Sequence, residues 1–80
     1  MQKFGQIVVS KKGHDEGRVY VILNSPQKDF VMIADGNYRK LKNPKRKRIK
    51  HLVFKDTVAA EFDSDAKIVN AINQYKKSAS

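Results

Sequence analysis

Eight cations fall within fourteen residues: Arg39, Lys40, Lys42, Lys45, Arg46, Lys47, Arg48 and Lys50, in the stretch 38–51, which holds no acid. Residues 1–37 carry five Lys or Arg against four Asp or Glu, and residues 52–80 carry four against four. Eight of the net nine positive charges are thus one patch on an otherwise near-neutral chain. A surface built only for solubility interleaves the two signs. A segregated run suits a polyanion, because each cation that meets a phosphate releases condensed counterions. The Lys45–Arg48 run also fits the bare pattern of a nuclear-localisation signal, which has little specificity.

The remaining groups with chemical potential are few. Tyr38 opens the basic stretch. It can stack on an unpaired base or pack its ring on a neighbouring strand, and the residue type fits both. Lys11 and Lys12 precede a loop bracketed by Gly13 and Gly17 and are secondary phosphate contacts on this reading; the glycines supply turn geometry at positive φ. His14 and His51 are the two imidazoles, and there is no cysteine. This composition excludes a disulfide scaffold and a thiolate zinc site and offers no metal-ligand spacing. His14 beside Asp15 and Glu16 lacks a paired nucleophile and a pocket, so no enzyme is expected and no cofactor is implied. His51, next to Lys50, is expected to face RNA or solvent.

The elements that must position these groups follow from pattern. Residues 6–10, 18–24 and 30–34 are β-branched and aromatic runs and predict three strands, the second buried on both faces for part of its length. Pro26 has no amide proton, so the second strand should end at the turn 25–29. Asp35-Gly36-Asn37 predicts a tight hairpin into a fourth strand at 38–41. Asn43-Pro44 and the charges after it then read as a mobile loop, and a fifth strand follows at 49–54, with Ile49, Leu52, Val53 and Phe54 turned to the core. From Asp63 the apolar period becomes three to four, which predicts a helix over 64–77. Asp63 or Ser64 caps its start, Lys76-Lys77 suit its end, and Ile68, Ala71, Ile72 and Tyr75 form its buried stripe. The expected fold class is all-β with a C-terminal helix: a five-stranded barrel over 1–62, and a helix over 63–80 covering its open side. Eighty residues allow one domain with a small core and no deep cleft. Ile7 to Val9, the apolar run nearest the N-terminus, is too short for a signal-peptide core or a membrane span. A cysteine-free chain fits a reducing cytoplasm.

Residues 4–54 resemble a known family. Gly5-Gln6-Ile7-Val8-Val9-Ser10, then Gly13-His14-Asp15-Glu16-Gly17, then Arg18-Val19-Tyr20-Val21-Ile22 look like a KOW motif: strand, glycine-bracketed loop, strand. Asp29 to Ala34, Asp35-Gly36, the basic stretch and Lys50-His51-Leu52 follow in matching order. The chain is similar to the stand-alone bacterial KOW-domain RNA-binding proteins, relatives of the ribosomal protein L-fourteen-e family. The resemblance implies an SH3-like barrel that binds structured RNA, usually ribosomal. Two positions depart from the family pattern. Many ribosomal KOW loops are basic where this one holds Asp15 and Glu16, and Tyr20 stands where a glycine is often found. The acids imply a loop turned away from RNA, or one that meets a basic surface such as a neighbouring protein or this chain's own Arg18 and Lys11.

The expected site is therefore Arg39, Lys40, Lys42, Lys45, Arg46, Lys47, Arg48 and Lys50, with Tyr38, Lys11, Lys12 and His51 as further contacts. The expected partners are RNA, above all ribosomal RNA, and ribosomal proteins as neighbours, with the chain a monomer in the cytoplasm and no membrane involved. Two rivals remain. A protein-interaction module of SH3-like form would need clustered aromatics, but there is no Trp and the three Tyr are scattered. An architectural double-stranded DNA binder has the same charge signature, and only the family resemblance separates it.

Overall fold

The computed structural model describes residues 4–79, so the extreme ends of the two expected units, residues 1–3 and 80, lie outside the described residues. Strand β1 spans Gln6–Ser10, β2 Val19–Gln27, β3 Phe30–Ala34, β4 Lys45–Arg48 and β5 Leu52–Val58, with helix α1 at Asp65–Ala79. All pairings are antiparallel, in the order β4-β3-β2-β1-β5. A flat sheet of this size would hold its edge strands about 19 Å apart. Here the edge strands β4 and β5 are joined by one 3₁₀ turn, Ile49–His51, and the four steps from Arg48 to Leu52 span at most about 14 Å. The sheet therefore curls toward a small barrel.

Strand alternation divides the core into two layers. Val8, Tyr20, Ile22, Val31, Ile33 and Leu52 pack together on the inside of the curl. The alternate positions Ile7, Val21 and Ala34 face the other way and meet Ile68 and Ile72 of α1, with Ala71 and Tyr75 beside them. The middle of β2 is thus buried on both faces, as its unbroken apolar run predicts. The helical stripe is the expected one, but it covers the second face of β1–β3 rather than an open side. The Ser64 hydroxyl accepts the Lys67 amide at 3.2 Å and so caps α1.

Several expectations fail, each for a physical reason. β2 does not end before Pro26. Pro26 lies in an irregular stretch between the Asn24–Met32 and Gln27–Phe30 pairings and past Val19–Val21, the part of β2 that pairs with β1. A bulge tolerates the missing N–H. No strand forms at 38–41. The Asp35 carboxylate accepts the Asn37 amide at 3.0 Å and the Arg39 amide at 2.8 Å, and the Leu41 amide donates to Asp65 Oδ1 at 2.8 Å. Side chains thus take the backbone donors a ladder would need. Gly36, at φ +78°, seats this turn against α1, where a Cβ would come within 2.5 Å of the Asp65 carbonyl. The fourth strand is instead Lys45–Arg48, the segment expected to be a mobile loop. The fifth begins only at Leu52 and runs to Val58, and Val53 is exposed rather than core.

Candidate nucleic-acid interface

β4 consists of four consecutive cations, and strand periodicity sends them in two directions. Lys47 lies opposite Val31 and Lys45 opposite Ile33, both partners fully buried. These two lysines point to the inner side of the curled sheet. Arg48 lies opposite Phe30 and Arg46 opposite Met32, on the outer side.

The inward lysines meet Asp15. Lys47 Nζ stands 2.8 Å from Asp15 Oδ1 and Lys45 Nζ 3.0 Å from Oδ2. The Ser10 hydroxyl donates to Oδ1 at 2.8 Å and the Tyr20 hydroxyl to Oδ2 at 3.0 Å. Lys47 also donates to the Lys12 carbonyl at 2.9 Å. Burial by itself pushes the Asp15 carboxyl up, but the Lys47 and Lys45 ammoniums and the Ser10 and Tyr20 hydroxyls outweigh it. They hold the group well below the usual carboxylate range. The Tyr20 phenol moves the other way, raised by burial and then by its bond to the Asp15 carboxylate. The Gly13–Gly17 loop, with both glycines at positive φ, thus carries an anion inward to β4. The expected alternatives for Asp15 were a loop turned from the RNA, or a basic partner such as Arg18 and Lys11. The observed partners are Lys45 and Lys47, which removes Lys47 and most of Lys45 from the surface. Glu16 remains exposed.

The outward arginines share one ring. The guanidinium carbons of Arg46 and Arg48 lie 4.6 and 4.9 Å from the Phe30 centroid, and Arg46 also donates to Gln27 Oε1 at 3.1 Å. Phe30 is half-buried and serves as a platform that restricts two long side chains. Lys40 and Lys42 are exposed on the 35–44 connection, Arg39 is half-exposed there, and Lys50 is exposed on the 3₁₀ turn. Lys11 and Lys12 are exposed beside the glycine loop. His51 is half-buried; burial, and then the charges of Lys12, Lys50, Lys47 and Arg48, hold its imidazole below its ordinary value. Tyr38 is 71% exposed and takes neither a strand position nor a core position. The Arg18 guanidinium carbon lies 3.6 Å from its ring centroid. Arg18 is a surface group that charge counting alone passes over, because its own neighbourhood in the chain is neutral.

These features define a small β-rich domain whose edge strand and adjoining connection present arginine and lysine outward, while Asp15 is sequestered inside with Lys45 and Lys47. No helix among the described residues is long and apolar enough to cross a membrane. No protein-family model matches the chain, and no curated protein matches it.

Proposed function

We propose that this chain is a non-catalytic RNA-binding module, an SH3-like barrel of the KOW type, acting as a monomer in the cytoplasm on structured RNA, with ribosomal RNA the first candidate. The sequence resemblance over residues 4–54 supplies the RNA class. One observation carries the binding surface: the Arg46–Arg48 pair, mounted on Phe30 at one edge of the sheet. Arg39, Lys40, Lys42 and Lys50 flank it along the chain. Guanidinium forks bind phosphate oxygens in two places at once, and the ring reduces the entropy lost when they do so. Lys47 is left out of this surface because its ammonium is spent on Asp15.

Titration of a folded RNA hairpin across a salt series tests the reading. With about four of the six outward cations on phosphates, log affinity against log salt should fall with a slope of about −3 to −4. A slope near zero would show that the cations only solvate the domain. Equal affinity for a DNA duplex of the same length would favour the architectural DNA binder instead.

A further inference from the structure

A groove of about 430 Å³ runs between the Asp35–Arg39 turn, the end of the glycine loop and α1. Its volume is within the lower range of small-ligand sites. The floor is apolar, from Val19, Val69 and Ile72. Asn37 and Asn73, two amide residues, also line it, and Lys76 adds a cation from the last turn of the helix. One wall is the stacked pair of Tyr38 and Arg18. Asp35, the acid of the lining, already accepts two backbone amides on one carboxylate oxygen.

We propose that this groove binds one unpaired nucleobase of the RNA, extruded from its helix and stacked on the Tyr38–Arg18 pair; the proposal rests on the RNA-binding reading above. Three features converge on a base rather than a phosphate or a peptide side chain. The first is a flat π surface made of an aromatic ring and a guanidinium plane, which is how proteins hold splayed-out bases. The second is the amide chemistry. An amide offers a donor and an acceptor side by side, the pattern that base edges present. The third is continuity. Tyr38 is followed directly by Arg39 and Lys40, so a nucleotide seated in the groove places its neighbouring phosphates at the start of the basic stretch. A phosphate alone would leave the apolar floor unused, and the lining cations Arg18 and Lys76 stand against Asp35, leaving only one net positive charge. The target is therefore a helix interrupted by a bulge or a loop nucleotide rather than an unbroken duplex.

Three hairpins of identical stem test this: fully paired, carrying one bulged adenosine, and carrying an abasic nucleotide at the bulge. The bulged adenosine should bind about tenfold tighter than both others, the scale of one base–aromatic stack. Tyr38→Leu keeps bulk but removes the ring; it should erase that preference, so that the adenosine and abasic bulges bind alike. Tyr38→Phe should retain the preference. Equal affinity of the wild type for the adenosine and abasic bulges overturns the base site, as does a Tyr38→Leu loss that is the same on all three. The paired hairpin reports separately on the parent reading. If it shows no salt-dependent binding, the basic surface is not an RNA site, and the base site falls with it.

Discussion

Asp15→Asn should destabilise the domain by about 3–5 kcal/mol, the cost of leaving a buried ammonium without its partner. Total stabilities of small domains are of the same order, so much of the variant population should be unfolded at room temperature. The substitution preserves shape. It removes the charge facing Lys47 Nζ at 2.8 Å and Lys45 Nζ at 3.0 Å, and an amide can no longer accept at both oxygen positions from Ser10 and Tyr20. Urea denaturation measures the loss. The double variant Asp15→Asn with Lys47→Met should recover a large part of it, because an apolar side chain in place of the ammonium needs no counterion. A single-variant cost below about 1 kcal/mol would mean that the ion pair is solvated in practice.

The same cluster sets the pH dependence. The Asp15 carboxyl is depressed in the folded state, so its contribution is fully present above the unfolded value near 3.9. It is lost progressively as pH falls from there through the lower folded value. The Tyr20 phenol is raised in the folded state, so its contribution holds below the unfolded value near 10 and is lost as pH rises beyond it. Urea midpoints should therefore fall below about pH 4 and above about pH 10, and the lowered His51 imidazole adds a smaller decline as pH falls through about 6.5.

The elements that sequence pattern identifies well are those in which hydrophobic period and propensity agree. β1, β3 and α1 fall close to their expected places because apolar runs and the switch of period at Asp63 have no competing explanation. β4 could not be found this way. Lys45-Arg46-Lys47-Arg48 has no hydrophobic alternation; its inward positions are occupied by lysines whose charge is met by Asp15, thirty residues away. A strand whose buried face is ionic becomes visible only once its counterion is placed. The two acids of the glycine-bracketed loop and the four cations that look like a mobile loop are thus linked: Asp15 of the first is a counterion of the second. The hairpin signal at Asp35-Gly36-Asn37 marked a real turn but gave the wrong return strand, because Asp35 and Asp65 capture the amides of residues 37, 39 and 41. The candidate site was visible as a charge run, but its division into an inward, ion-paired pair and an outward pair depends on register, which charge counting cannot supply.

That division can be tested by alternating substitutions along four consecutive residues. Arg46→Gln with Arg48→Gln should weaken binding to a folded RNA on the order of a hundredfold at physiological salt, since charge-assisted hydrogen bonds are worth about 1.5–3 kcal/mol each before screening. The stability cost should be at most about 1–2 kcal/mol, from two exposed contacts with the Phe30 ring. The salt slope should become shallower by about two, one for each cation removed. Lys47→Gln should behave in the opposite way. Its ammonium is buried, paired with Asp15 and bonded to the Lys12 carbonyl, so its loss exposes the folded state to an under-compensated carboxylate and costs stability first. Any loss of RNA affinity in that variant should be accounted for by its unfolded fraction, and it should vanish when affinity is corrected for that fraction or measured below the melting transition. Melting curves and binding isotherms on the same preparations separate the two. If Lys47→Gln leaves the fold intact and reduces affinity as much as the arginine pair does, Lys47 turns outward when RNA binds and the Asp15 pair is a resting arrangement that phosphate displaces. If the arginine pair can be removed without effect, the contact surface lies on Arg39, Lys40, Lys42 and Lys50, and the Phe30 platform is no part of it.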